Sequence, residues 1–277
     1  MLKQRVITAV LMLAVFLPAL FYPSIEPFGL ITLLLIAAAG WEWARLNGCS
    51  QTRALSAGAA LAVALLLFWL LGGVGRNWRE LWLAVGVVWV VLAIVMLRRG
   101  VDAFARWPRV LRLWVGLVLL ACAWLAIVQA WSLGVGFLLS VLLLVWMADI
   151  AAYFGGKSMG RRKLAPAISP GKSWEGAISG LIGVVVLAGA WVWATQRGWS
   201  PPTHLYAYLW HQGPWLAALA LGGLTAMSVA GDLIESLVKR AAGVKDSSAL
   251  LPGHGGVLDR VDALLPVLPL AMMIVTL

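Results

Sequence analysis

Charge is the scarcest property of this chain. Only 12% of its 277 residues are Asp, Glu, Lys or Arg, while 62% are hydrophobic and the mean hydropathy is +0.94. Soluble domains carry roughly 25% charged residues, so a water-soluble globular fold is excluded. Cysteine is nearly absent: Cys49 stands in a basic loop and Cys122 inside an apolar run, which rules out a disulfide framework and a zinc cluster. Internal repeats, low-complexity tracts and flexible linkers are also missing, and no convincing small-x-small cleavage site follows the first apolar run. What remains is hydrocarbon in long stretches, which predicts an all-α polytopic integral membrane protein.

The apolar runs fall near residues 6–21, 28–44, 55–71, 81–97, 113–131, 134–153, 177–195, 215–236 and 263–277. They predict about nine transmembrane helices of roughly 20 residues each. The first, behind Lys3 and Arg5, reads as an uncleaved anchor. Residues 1–277 are expected to form a single transmembrane domain, with N-terminal spans in 1–130 and a catalytic half carrying the motif-bearing loops in 131–277. Basic residues near span ends stay on the cytoplasmic side. Assigning alternate loops to opposite sides gathers Lys3, Arg5, Arg45, Arg53, Arg98, Arg99, Arg106, Arg109, Arg112, Lys157, Arg161, Arg162, Lys163, Lys172, Lys239, Arg240, Lys245 and Arg260 on one face. The other face has only Arg76, Arg79 and Arg197. The bias predicts a cytoplasmic N-terminus and a periplasmic C-terminus. The net charge of +10 is then a surface attracted to anionic lipid, not a nucleic-acid footprint. Trp41, Trp43, Trp78, Trp107, Trp131 and Trp199 sit near predicted span ends, as interfacial belts require. Residues 98–112, with Val101, Phe104, Trp107 and Val110 among five arginines, suit either a plain basic flank or an element lying in the headgroup layer until Pro108 bends it.

Three clusters carry the scarce polar chemistry. Asp149 follows an apolar run, where a carboxylate costs roughly 2.5–3.5 kcal/mol at a helix centre; it either hydrogen-bonds a neighbouring helix or faces a polar site. The loop 155–176 combines basic residues, glycines and two prolines, ending in Ser169-Pro170-Gly171-Lys172-Ser173-Trp174-Glu175-Gly176. Cations beside flexible backbone make a phosphate-binding surface. Its likeness to a Walker A loop is weak, because Pro166 stands where the first glycine is needed. The densest cluster is residues 231–262, which hold Asp232, Glu235, Asp246, Asp259 and Asp262, five of the chain's 11 acidic residues, with His254, one of its three histidines. A helix continuing through Arg240 would align Asp232, Ser236, Lys239 and Arg240 on one face, able to hold a metal and the phosphates it binds. The bland alternative is an ordinary Glu235–Lys239 pair, which leaves Asp232 unexplained. Pro252-Gly253-His254-Gly255-Gly256 is too glycine-rich for a helix and predicts a loop whose backbone approaches a ligand; His254 fits either a loop hydrogen bond or a base. Asp259 and Asp262 follow at i, i+3 and supply oxygen ligands suited to Mg2+.

Ser236-x-x-Lys239-Arg240-x4-Lys245-Asp246, followed by His254-Gly255-Gly256-x-x-Asp259-Arg260-x-Asp262, resembles the signature of the phosphatidate cytidylyltransferases, the CDP-diacylglycerol synthases. Asp149-x-x-Ala152-Tyr153-Phe154-Gly155-Gly156 and residues 169–176 are similar to the family's other motifs, with Ile150-Ala151 as a small departure. The resemblance is carried by the C-terminal half; residues 1–130 match only in hydrophobicity and span number. It implies transfer of the cytidylyl group of CTP to phosphatidic acid, giving CDP-diacylglycerol and pyrophosphate with Mg2+, one ion or two, at the cytoplasmic side of the bacterial inner membrane, in a homodimer. On that resemblance Asp232 and Asp259 are metal ligands, with Asp262 and Asp246 in support. Lys172, Lys239, Arg240 and Lys245 contact phosphates, Ser236 and Ser173 donate hydrogen bonds, and His254, Gly255, Gly256, Arg260, Asp149 and Glu175 complete the site. Two rivals remain, a transporter of anionic lipid and a CTP-dependent lipid kinase. The CDP-alcohol phosphotransferase pattern is absent.

Overall fold

A computed structural model describes residues 2–277 without the side chains of Leu2, Lys3 and Arg5, so the two N-terminal cations of the topology argument lie outside the described residues. The chain forms α1 (Leu2–Leu20), α2 (Glu26–Leu46), α3 (Gln51–Leu70), α4 (Arg79–Ala105), α5 (Arg109–Ser132) and α6 (Val135–Met159). A two-stranded hairpin follows, β1 (Lys163–Ala165) and β2 (Ser169–Ser173), then α7 (Trp174–Gln196), the short α8 (Leu205–Gln212), α9 (Pro214–Ala241), α10 (Leu258–Val261) and α11 (Leu264–Thr276). Helices dominate because a backbone in hydrocarbon must satisfy its own N–H and C=O groups. Among the described residues, seven helices (α2–α7 and α9) are long and apolar enough to cross a membrane, and residues Val6–Leu20 and Leu264–Thr276 form shorter apolar helices. The protein is therefore a helical, multi-pass membrane protein.

The most apolar helix, α11, is at the centre, packed on α4, α5, α6, α8 and α9. It buries Leu264, Val267, Leu268, Leu270, Ala271 and Met272. Helix α9 packs on α4, α7, α8 and α11, and α2 bridges α1, α3, α5 and α10. Helices α6 and α7 form the closest pair. A Cβ on Gly176 or Gly180 would stand 2.9 or 2.8 Å from the carbonyl oxygens of Ala152 or Ala148, so glycine sets their spacing.

Three local expectations change. The loop read over 155–176 is shorter, because α6 continues through Gly155 and Gly156 to Met159: packing on α7 outweighs the poor helix propensity of glycine. The middle of that loop is an antiparallel hairpin with Lys163 opposite Ser173 and Ala165 opposite Ser169. In the basic stretch 98–112 the break falls first at Gly100 (φ 72°, ψ −170°), a left-handed conformation that glycine adopts without strain, and Pro108 then precedes α5. The short piece after Gly100 turns Phe104 into the core, and the Arg112 guanidinium lies 5.2 Å from its ring centroid.

Candidate active site

The hairpin, the end of α9 and the α10–α11 junction bring the predicted polar residues together. Lys172, on β2, reaches across to α9, its ammonium 2.6 Å from Asp232 Oδ2. One turn along α9, Ser236 Oγ donates to Asp232 Oδ1 at 3.3 Å, as the i, i+4 spacing predicts. Asp149 of α6 and Asp262 face the same place, close enough for their charges to act on one another and on Lys172. Burial pushes the Asp262 carboxyl above the usual carboxylate range, and the neighbouring Asp232 raises it further. Of the two readings of Asp149, the charged neighbours Asp232 and Lys172 accord with the polar-site one.

The rest of the proposed stripe divides. Lys239 leaves the Asp232 face and pairs with Glu235 and with Asp259 Oδ1, the latter at 2.5 Å. Asp259 Oδ2 accepts from the Ser247 N–H (2.9 Å), the Ser247 hydroxyl (2.9 Å) and the Gly256 N–H (2.8 Å). Burial alone would raise the Asp259 carboxyl, but the Lys239 ammonium and the Gly256 and Ser247 amides outweigh it and hold it at about 2. Lys239 therefore bridges two buried carboxylates, whereas the sequence reading made it a phosphate contact. Arg240 is exposed, with Nη1 3.4 Å from the Val244 carbonyl, and Lys245 and Asp246 are exposed in the following loop.

The glycine-rich segment forms a tight turn in which Leu251 and Gly255 pair. Gly255 has φ +82°, and a Cβ there would stand 2.7 Å from Asp259 Oδ2. A Cβ on Gly256 would run into Ser247 Oγ and Glu42 Oε1. His254 is half-buried, and its Nδ1 has no hydrogen-bond partner among the described residues. Beside this turn lies an apolar cavity of about 480 Å3, bounded by Phe16 of α1, Ile36 of α2, Trp124 of α5, Trp146 of α6 and Leu268 of α11, with Arg260 at its wall. The four-residue α10 thus turns Asp259 towards Lys239 and Arg260 towards hydrocarbon-lined space.

Two predicted substrate contacts, Ser173 and Glu175, also have local structural partners. Ser173 is buried as the N-cap of α7 and its oxygen accepts from the Gly176 N–H at 3.1 Å, which leaves the hydroxyl proton to donate. Glu175 accepts from the Arg161 and Arg162 N–H groups (3.0 and 3.1 Å) and from Arg162 Nε (3.0 Å), clamping the entry to the hairpin. The sequence reading missed Glu42 of α2, which is fully buried and accepts four hydrogen bonds from the 247–258 segment. Its signal was the one that exposed Asp149, a lone carboxylate in an apolar run.

Among the described residues no three Asp, Glu, His or Cys side chains are arranged to hold a metal ion as they stand. The four expected metal ligands are distributed: Asp232 and Asp262 meet around Lys172, Asp259 is tied to Lys239, and Asp246 is exposed. The donor set nevertheless suits a hard divalent cation, because it consists of carboxylate oxygens and Asp232 already holds an ammonium, that of Lys172.

Carboxylates from separate helices, with Lys172 of the hairpin and Lys239 of α9, next to an apolar cavity, suit a membrane-embedded enzyme class acting on phosphate groups at the boundary of the hydrocarbon. The chain belongs to the cytidylyltransferase family, whose family model matches residues 3–277. It is 41% identical to the phosphatidate cytidylyltransferase of Pseudomonas aeruginosa, with 97% of this chain and 95% of that relative covered. The phosphatidate cytidylyltransferases of Haemophilus influenzae (34% identical, 97% and 96% covered) and Staphylococcus haemolyticus (30%, 97% and 97%) are similar over the same extent. The likeness therefore runs through the N-terminal half as well, beyond the motifs that carried it in the sequence.

Proposed function

We propose that this chain transfers the cytidylyl group of CTP to phosphatidic acid, releasing pyrophosphate and leaving CDP-diacylglycerol in the membrane. The observation that carries the reading is α10, on which the carboxylate of Asp259 and the guanidinium of Arg260 diverge, one into the charged site and one along the apolar cavity of about 480 Å3. Nucleotide chemistry and space for acyl chains meet at that helix. An oxygen of the lipid phosphate attacks the α-phosphorus of CTP, the bond to the β-phosphate oxygen breaks, and no covalent enzyme intermediate is needed. Lys172, Arg240 and Lys245 bind and orient the triphosphate, Arg260 holds the lipid phosphate at the cavity wall, and the unpartnered His254 Nδ1 supplies a further hydrogen bond. Asp232 and Asp262, joined by Asp259 through its less crowded Oδ1, would hold Mg2+, with Asp149 and Asp246 available to a second ion. Bound there, Mg2+ would neutralise phosphate oxygens and so oppose the repulsion between the two substrates.

Among the described residues the nine apolar helices α1–α7, α9 and α11 are read as spans of one transmembrane domain, residues 1–277, with the motif-bearing loops in 131–277. The positive-inside bias favours a cytoplasmic N-terminus, a periplasmic C-terminus and a site facing the cytoplasm of a bacterial inner membrane. The homodimer follows from the family resemblance, and the exposed Ile178, Ile182, Val185 and Val186 on α7 offer an apolar face for a second copy or for lipid. The decisive experiment offers purified protein in detergent phosphatidic acid with each nucleoside triphosphate, with and without Mg2+, and scores pyrophosphate and liponucleotide. CTP-specific formation of both is expected. Release of CDP would make the protein a lipid kinase, and lipid movement without pyrophosphate a transporter.

A further inference from the structure

Helix α10 begins without a cap of its own: Val257, at its N-cap, has no side chain to accept a hydrogen bond from the first turn. The missing acceptor comes from the other half of the chain. Glu42 of α2 has 0% exposure, and its carboxylate accepts the Val257 N–H at 2.9 Å and the Leu258 N–H at 2.8 Å. It also accepts the Ser248 hydroxyl at 2.5 Å and lies 3.1 Å from the Ser247 hydroxyl. All four donors belong to the segment that delivers Asp259 and Arg260.

Ser247 links Glu42 to the charged site. Its Oγ lies 2.9 Å from Asp259 Oδ2 as well as 3.1 Å from Glu42 Oε2, and a hydroxyl has one proton to donate. The two carboxylates therefore share Ser247, and moving one shifts the other's partner. Gly256 is hemmed in by the same two groups, since a Cβ there would strike both Ser247 Oγ and Glu42 Oε1. A helix–helix adhesive would need only one or two bonds to a neighbouring helix. Glu42 instead ties the middle of the loop between α9 and α10 to its end at α10.

We infer that Glu42 is a positioning residue for cytidylyl transfer: from the N-terminal half it caps α10 and, through Ser247, holds Asp259 and Arg260 in the orientation that the reaction uses. This inference rests on the cytidylyltransferase reading of the site. It gives the N-terminal spans a part in the chemistry beyond supplying hydrophobic bulk.

The test uses the full chain in detergent. In Glu42→Gln, kcat for CDP-diacylglycerol formation should fall by roughly 10- to 100-fold, the scale of loss when a reacting constellation is held loosely. KM for phosphatidic acid should rise by less than kcat falls, because Arg260 is loosened together with Asp259 while the apolar cavity itself is not altered. Adding Ser247→Ala should cost little more than Glu42→Gln alone, since both act on one chain of contacts. Hydrogen exchange at the Val257 and Leu258 amides should quicken in Glu42→Gln, a readout that needs no turnover. A variant with wild-type kcat per folded molecule, or unchanged exchange at those amides, would overturn the inference. If Glu42→Gln does not fold, Ser248→Ala, which leaves three of the four bonds, should lower kcat by about 3- to 10-fold at unchanged melting temperature; an unchanged kcat would equally overturn it. A wild-type protein that makes no CDP-diacylglycerol would sink the functional reading instead, while the exchange experiment would still judge the role of Glu42 as the cap of α10.

Discussion

Replacing Lys239 with Met keeps most of the side-chain volume and removes the one charge that Glu235 and Asp259 share. The Lys239 side chain is 13% exposed, and those of Glu235 and Asp259 are each 6% exposed, so little water can take over the ammonium's role. Neither Glu235 oxygen has a hydrogen bond from another side chain or amide among the described residues. Removing one partner of a buried ion pair costs about 3–5 kcal/mol, because the other is left charged and unpaired. At roughly 2–4 °C per kcal/mol for a chain of this size, the melting temperature should fall by about 6–20 °C. Adding Glu235→Gln replaces one of the two carboxyls left without the ammonium by a neutral amide and should restore part of that loss. Activity should stay low in both variants, because the Oδ1 side of Asp259 remains without its partner. The assay pairs thermal unfolding in detergent, followed by tryptophan fluorescence, with initial rates of pyrophosphate release well below either melting temperature. If Lys239 were only a phosphate-binding cation, Lys239→Met would raise KM for CTP and leave the melting temperature within about 2 °C of wild type; that pattern would refute the reasoning.

Other perturbations test neighbouring parts. Gly256→Ala forces a methyl group against Ser247 Oγ and Glu42 Oε1, so it should destabilise the protein by about 1–3 kcal/mol and lower kcat more steeply than KM; an active, equally stable variant would contradict the close approach. Ser173→Ala removes the cap of α7 and should cost about 1 kcal/mol in thermal unfolding while changing KM for CTP less than about 3-fold; the reverse pattern would return Ser173 to a substrate-binding role. The Asp259 carboxyl is held at about 2, below its ordinary value of 3.8, so its ionised form stabilises the fold. That contribution, about 2 kcal/mol, is complete well above pH 3.8 and is lost as the pH falls through 3.8 towards 2. Acid unfolding of Asp259→Asn should accordingly show a shallower loss of stability over that interval than wild type, and identical slopes would count against the bonding seen at Oδ2.

The spans were legible because long apolar runs leave the backbone little choice but helix, and the positions predicted for the second to eighth lie inside observed helices apart from a residue or two at their ends. The hairpin was not: strands of three and five residues in a Gly- and Pro-containing stretch have no period to read, and the contacts that hold the hairpin, Lys172 to α9 and Glu175 to the entry at Arg161 and Arg162, are tertiary or cross the hairpin. The polar motifs located the site but not its partition. Spacing along α9 put Asp232, Ser236 and Lys239 on one stripe, and only the position of α10 decides that Lys239 turns to Asp259 while Asp232 receives Lys172 from the hairpin.

The missed residue follows from the same physics as the found one. A carboxylate within an apolar helix is tolerated only where donors surround it. For Asp149 the neighbouring polar groups come from motifs of the C-terminal half, so its company could be guessed. For Glu42 the donors lie 205 to 216 residues away along the chain, and no local pattern announces them. Yet the cost of burying a lone acid is paid at the position itself, so Glu42 by its presence already requires a distant set of donors. Among the described residues the donors that meet it are those of the loop that carries the charged site, which makes a buried acid in an otherwise featureless span a pointer to the place where the two halves of the chain are joined.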